Sequence, residues 1–124
     1  MNVMVQEFKQ DRIQDIFVFL KEKGFDVYFP AQHQGECTAP YVVVKGAVST
    51  QFREYSSWVQ YYDLLCYVPK DRFSELYPFV DSVKAAMKEL APMIKPAFYD
   101  TESFYDDEIK GHMVSVQYLN YRKL

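Results

Sequence analysis

The chain has 124 residues, of which 49% are hydrophobic, and a net charge of -3, which predicts one domain (residues 1–124) that buries about two-thirds of its unfolded surface. Fourteen Lys and Arg residues against seventeen Asp and Glu residues leave no clustered positive surface, so the charge disfavours specific nucleic-acid binding. No apolar stretch approaches the roughly 20 residues that span a bilayer and no secretion signal is visible, so we expect no membrane association and free thiols at Cys37 and Cys66.

The first predicted element is a helix that begins between residues 4 and 11 and ends at Lys23. Apolar residues recur at helical spacing along one face of it, namely Ile13, Ile16, Phe17 and Leu20. Gly24 accepts the left-handed backbone conformation that closes a helix, and Phe25 just beyond it can make the apolar contact typical of this ending. The sequence therefore predicts that the chain turns back at Gly24.

Three strands are predicted to follow. Residues 26–29 form a short strand, and a polar loop over residues 30–40 leads to a second strand over residues 41–46, which is rich in valine. A connection over residues 47–54 then leads to the longest strand, over residues 55–68.

The longest strand has two different faces. Alternate positions on one face are strongly apolar: Tyr62, Leu64, Cys66 and Val68. The opposite face mixes apolar, phenolic and charged groups: Val59, Tyr61, Asp63, Leu65 and Tyr67. Such a mixed face is typical of a sheet surface that is half wet or meets a partner.

The second helix and the last strand complete the pattern. Apolar residues at steps of three and four form a stripe suited to burial: Leu76, Val80, Val83, Met87 and Leu90. We predict that this helix starts around Tyr77, since Pro78 is tolerated only near a helix start, and that Pro92 ends it. Residues 95–99 form an irregular segment or short strand. Residues 112–122 form a closing strand with Val114, Val116 and Tyr118 on one side.

This order of elements predicts an α+β fold with a mostly antiparallel sheet of four to five strands and two helices packed on one face. The other face then needs a cover. Eleven tyrosines suit a surface that is apolar on one side and hydrogen-bonded on the other, as in contacts between subunits, and they equally suit a tyrosine-rich core. The candidate subunit-interface residues on that face are Tyr61, Asp63, Tyr67, Gln117 and Tyr121.

Two enzymatic or metal-binding alternatives receive little support. An acidic run with a Glu-x-Lys triplet, Asp106, Asp107 and Glu108 to Lys110, resembles part of a metal-dependent nuclease site, but it lies in a loop-like stretch where solvated acidic residues are common. The possible zinc ligands are dispersed along the chain: His33, Cys37, Cys66 and His112. We therefore predict no catalytic, metal or cofactor site, and a protein that is not an enzyme.

Several segments resemble small proteins of tailed-phage and prophage morphogenesis modules, namely the tail terminator, or tail completion, class. The resemblance covers nearly everything from Tyr41 to Leu124, and none of its segments is a catalytic signature. They are residues 41–45 (Tyr-Val-Val-Val-Lys), 62–69 (Tyr-Asp-Leu-Leu-Cys-Tyr-Val-Pro), 79–80 (Phe-Val), 83–94 (Val-Lys-Ala-Ala-Met-Lys-Glu-Leu-Ala-Pro-Met-Ile), 103–107 (Ser-Phe-Tyr-Asp-Asp) and 112–118 (His-Met-Val-Ser-Val-Gln-Tyr).

The resemblance implies a structural role in virion assembly. Proteins of this class are α+β subunits that close as a ring, commonly six-fold, on the end of the tail tube and join it to the head completion or connector protein. It implies as partners other copies of the chain, the tail tube protein and the connector, with assembly in the host bacterial cytoplasm and a final location in the virion. The alternative is a small cytoplasmic adaptor module that docks one partner without catalysis.

Overall fold

The computed structural model describes residues 12–52, 57–97 and 100–123. Two α-helices lie among them, α1 (Ile13–Glu22) and α2 (Leu76–Met87). Short 3-10 helices flank α2 at Lys70–Glu75 and Lys88–Leu90. The strands in chain order are β1 (Val27–Tyr28), β2 (Tyr41–Phe52), β3 (Ser57–Pro69), β4 (Lys95–Pro96), β5 (Phe104–Asp106) and β6 (Gly111–Lys123).

The six strands in this part of the chain form one mixed sheet that is mostly antiparallel. Its order is β1-β2-β3-β6-β4, and β5 also pairs with β6. Only β1 and β2 run parallel. The predicted α+β class is confirmed. The sheet has more strands than the four to five predicted, because β5 lies within the acidic segment, which the sequence predicts to be a loop.

Helix α1 ends as its sequence predicts. Gly24 has a positive φ of 95°, its N–H donates to the Lys21 carbonyl oxygen at 3.0 Å, and the Phe25 N–H donates to the Leu20 carbonyl oxygen at 3.1 Å. This pair of bonds is the glycine-closed helix ending, and it satisfies carbonyl groups left over by the last turn. Phe25 then packs edge-on against Phe79 of α2, with ring centroids 6.0 Å apart. Helix α1 begins at Ile13 with Arg12 as its N-cap residue, which is later than the predicted start between residues 4 and 11. That predicted range lies outside the described residues.

Strands β2, β3 and β6 form the centre of the sheet. The β3 to β6 register runs without interruption from Ser57 opposite Lys123 to Pro69 opposite Gly111. Strand β2 continues beyond residue 46 to Phe52, although its register against β3 shifts between Gly46 and Ser49. Our prediction of a connection over residues 47–54 is therefore wrong for residues 47–52, because pairing with β3 extends the strand beyond its valine-rich part.

The core lies between the sheet and the helices. The predicted apolar face of β3 is fully buried there, together with Val114 and Val116 of β6 and with the predicted α2 stripe from Leu76 to Met87. Ile16 and Leu20 of α1 complete the same cluster, while Leu90 packs at its margin. Both predicted apolar stripes and the alternation on β3 are confirmed. We call this side of the sheet the helix face.

Helix α2 differs from its prediction only at its ends. It starts at Leu76, one residue earlier than predicted, with Pro78 as its third residue, where a missing N–H leaves no intrahelical bond unmade. It ends at Met87, and a 3-10 turn follows before Pro92. None of the helices in the described part of the chain is long and apolar enough to cross a membrane.

The outer edge of β6 is paired along most of its length by the segment that follows α2. Strand β4 covers Tyr118 and Leu119, and the N–H groups of Ala97 and Thr101 donate to the Gln117 and Ser115 carbonyl oxygens at 2.9 and 3.0 Å. Strand β5 then covers residues 111–113. Over residues 111–119, this pairing therefore leaves few backbone groups of β6 free.

Candidate interaction surface

The face of the sheet opposite the helices, which we call the tyrosine face, is divided into two halves. In the first half the loop over residues 30–40 packs on the sheet. His33 stacks on Tyr41 with ring centroids 4.0 Å apart, and Tyr41 stacks on Tyr67 at 4.8 Å. Tyr28 meets Tyr41 edge-on at 5.5 Å. We call this the covered half, and it contains the candidate residue Tyr67.

Cys37 anchors the loop in the covered half. Its side chain is 5% exposed, and its N–H donates to the Ile109 carbonyl oxygen at 2.6 Å. Burial raises the pKa of the Cys37 thiol from 9.0 to about 11. At neutral pH the thiol is therefore protonated, which makes it a small packing group rather than a nucleophile.

The second half of the tyrosine face carries charged and polar groups that are half-buried or exposed. The register places Lys45 of β2, Asp63 of β3 and Gln117 of β6 side by side across three strands, with Tyr61 two residues along β3 from Asp63. Lys45 is exposed and the other three are half-buried. We call these four residues the open half, since both helices among the described residues lie on the other face of the sheet.

Asp63 lies at the centre of the open half. Its carboxylate accepts one long hydrogen bond, from Gln117 Nε2 at 3.5 Å, and it forms no salt bridge with any residue that the structure describes. A carboxylate that loses water gains from further hydrogen-bond donors. The open half therefore favours a partner that brings donors.

The five predicted interface residues are thus only partly brought together. Tyr61, Asp63 and Gln117 lie in the open half, whereas Tyr67 lies under the loop of the covered half. The backbone of Tyr121 pairs with Val59 near the end of β6, and its side chain lies outside the described part of the chain.

The four possible zinc ligands do not meet. Cys66 is fully buried on the helix face, where burial raises the pKa of its thiol to about 12, while Cys37 lies on the tyrosine face. His33 is stacked in the covered half, and Nε2 of His112 lies 3.0 Å from the Lys70 carbonyl oxygen. The sheet itself separates the two thiols.

The acidic segment is organised by its own local contacts. Asp107 pairs with Lys110 at 2.9 Å, Asp106 accepts a hydrogen bond from the Glu108 N–H at 3.0 Å, and Asp100 pairs with Lys84 of α2. Over the described residues, no group of three or more His, Cys, Asp or Glu side chains is placed to hold a metal ion. The contacts of Asp106 and Asp107 are those of a local turn, and the Asp100–Lys84 ion pair joins the loop to α2.

The structure also has an exposed group of aromatic rings that the sequence did not predict. Phe73 and Tyr77, which are 46% and 50% exposed, meet edge-on with ring centroids 6.4 Å apart. The His112 ring lies 4.8 Å from that of Phe73 and 5.1 Å from that of Tyr105. We call these four residues the aromatic patch. The spacing of four between Phe73 and Tyr77 was a visible signal, but only the sheet brings Tyr105 and His112 to them.

Comparison with known proteins assigns no family to this arrangement. A scan against models of protein families found no match, and a search of curated proteins found none either. The function of this chain is therefore inferred from the surfaces of the molecule and from the resemblance of its segments to tail terminator proteins.

Proposed function

We propose that this protein is a non-catalytic assembly subunit, and that it acts as a tail terminator in a tailed phage or prophage. In this role it forms a ring, commonly of six copies, on the end of the tail tube and joins that end to the head connector. It assembles in the bacterial cytoplasm and remains in the virion.

The open half of the tyrosine face is the observation that carries the proposal. It combines Tyr61 with polar and charged neighbours on rigid strands, and its central carboxylate, Asp63, has one long hydrogen bond. Interfaces are enriched in tyrosine and join apolar contact to hydrogen bonding. A sheet position is also held more firmly than a loop position, which suits a contact repeated around a ring.

The specific role as a tail terminator comes from the segments between Tyr41 and Leu124 that resemble this class. The charge of the chain is compatible with it, because an acidic subunit around a channel repels passing DNA instead of binding it. The proposed partners are other copies of the chain, the tail tube protein and the head connector.

Imaging of tail tubes tests the proposal. The purified protein is mixed with tubes assembled from the tail tube protein and examined by negative-stain electron microscopy. We expect a ring at the tube ends and an arrest of tube growth, because a terminator occupies the surface on which the next tube subunit would add. Tubes that keep growing with bare ends would refute the proposed function.

A further inference from the structure

We infer that the aromatic patch of one copy is the surface that covers the open half of the next copy, so that the subunits associate head to tail. This inference rests on the proposed function, since it names the second contact surface that a ring of identical subunits requires. A heterologous contact joins two different surfaces, one from each neighbour, and each subunit must present both.

The aromatic patch has the properties of a contact surface. Its four rings form a continuous chain of ring contacts, two of them edge-on and one tilted, yet Phe73 and Tyr77 remain about half exposed. Contiguous exposed aromatic groups mark interaction sites, and aromatic residues contribute most of the binding energy at many interfaces.

The two surfaces lie where a head-to-tail contact needs them. His112 pairs with Val68, which is buried on the helix face, so the aromatic patch belongs to that side of the sheet. The open half is on the opposite side of the sheet, with Asp63 five residues before Val68 in β3, a distance of roughly 17 Å at the usual rise of a strand. One subunit can therefore contact two neighbours at once without the contacts competing.

The chemistry of the two surfaces is complementary. Asp63 accepts one long hydrogen bond. On the aromatic patch, the exposed residues Tyr77 and Tyr105 each carry a hydroxyl group that can donate one. Asp81 follows Tyr77 by one helical turn, and Lys45 lies beside Asp63. Both side chains are exposed, and neither forms a salt bridge with a described residue. Docking thus supplies donors to the carboxylate and brings opposite charges together.

Disulfide trapping tests the inference in the full chain. A Tyr77→Cys variant is mixed with a Gln117→Cys variant, which keeps the Asp63 carboxylate directly opposite it. The mixture is oxidised and analysed on a non-reducing gel and by mass spectrometry. The two native thiols are buried and do not compete. We expect about tenfold more trapped mixed dimer than with Met93→Cys as the partner of Gln117→Cys, because a disulfide needs two Cα atoms within roughly 7 Å. Met93 is 49% exposed and lies beyond the other end of α2, so it is a matched control.

Each possible result of the trapping experiment either supports or overturns the head-to-tail contact. Trapped dimer in the mixture, and little in either variant alone, supports the inference. Dimer formed by Gln117→Cys alone would show two open halves facing each other and would overturn the inference. A mixture that gives no more dimer than the control would also overturn it. Tyr105→Cys replaces Tyr77→Cys if that variant does not fold. Capping of tail tubes is measured separately, so the proposed function and the head-to-tail contact can fail independently.

Discussion

Gly111 lies at the start of β6, where the covered half of the tyrosine face meets the end of β3. A Cβ atom at this position would lie 3.0 Å from the Cβ of Cys37 and 3.2 Å from the Val68 carbonyl oxygen. Both neighbours are held in place, since the Cys37 N–H is hydrogen-bonded to the Ile109 carbonyl oxygen and Val68 belongs to the central strand β3. A residue without a side chain lets the loop and the sheet approach this closely.

We expect Gly111→Ala to lower the free energy of unfolding by about 1–3 kcal/mol, because an added methyl group in a tightly packed place forces its neighbours to move. Chemical denaturation monitored by circular dichroism measures the change. Ser103→Ala, at an exposed position before β5, is the control and should leave the denaturation midpoint unchanged. An unchanged midpoint for Gly111→Ala would contradict the tight contact.

The two buried thiols predict how stability depends on pH. Burial raises the pKa of Cys37 from 9.0 to about 11 and that of Cys66 from 9.0 to about 12. The unfolded chain therefore loses these protons first, near pH 9, while the folded chain keeps them. We expect the free energy of unfolding to fall between pH 9 and pH 11. For each thiol the fall is at most about 1.4 kcal/mol per pH unit.

Urea denaturation at a series of pH values measures this fall. The matched control is a variant with Cys37→Ala and Cys66→Ala, in which the fall should be shallower. It should not vanish, because burial also raises the pKa values of Tyr41 and Tyr118. Equal slopes for the two proteins would show that the thiols are not protected from ionisation.

At the scale of elements, β3 is the strand on which the two faces of the sheet are most different. Leu64 is fully buried against the helices, whereas its neighbour Leu65 is half-buried on the tyrosine face. The two residues are identical in chemistry and adjacent in sequence, and they differ only in the face that they occupy. Substituting each of them by alanine therefore compares how much the two faces contribute to the free energy of unfolding.

We expect Leu64→Ala to lower the free energy of unfolding by about 2–5 kcal/mol, because it leaves a cavity in the core. Leu65→Ala should cost clearly less, since less of its surface leaves water on folding. Thermal and urea denaturation of the two variants provide the comparison. Similar losses would mean that the tyrosine face is as fully packed as the helix face.

For the whole molecule, the proposed assembly depends on Asp63 remaining an acceptor at the centre of the open half. We expect Asp63→Lys to need at least about tenfold more protein to cap half of the tube ends, because a reversed charge at a contact costs more than about 1.4 kcal/mol. Counting capped ends in negative-stain images against protein concentration measures this. Met93→Lys is the exposed control, and normal capping by Asp63→Lys would remove the open half from the interface.

The sequence by itself determined the elements whose patterns are local. The end of α1 at Gly24, the alternation from Tyr62 to Val68 and the stripe of α2 are each set by residues within a few positions of one another. Backbone conformation and side-chain periodicity act at that range. From them follow the α+β class and the presence of a helix face.

Only the tertiary structure decided how the rest of the surface is used. Pairing with β3 extends β2 to Phe52, and pairing with β6 makes a strand of residues 104–106, because a strand is completed by distant hydrogen bonds. His33 and Cys37 pack on the sheet over Tyr41 and Tyr67, so Tyr67 lies in the covered half and not in the open half. Likewise Tyr105 and His112 join Phe73 only across β5 and β6. These contacts link residues far apart in the chain, and no local pattern records them.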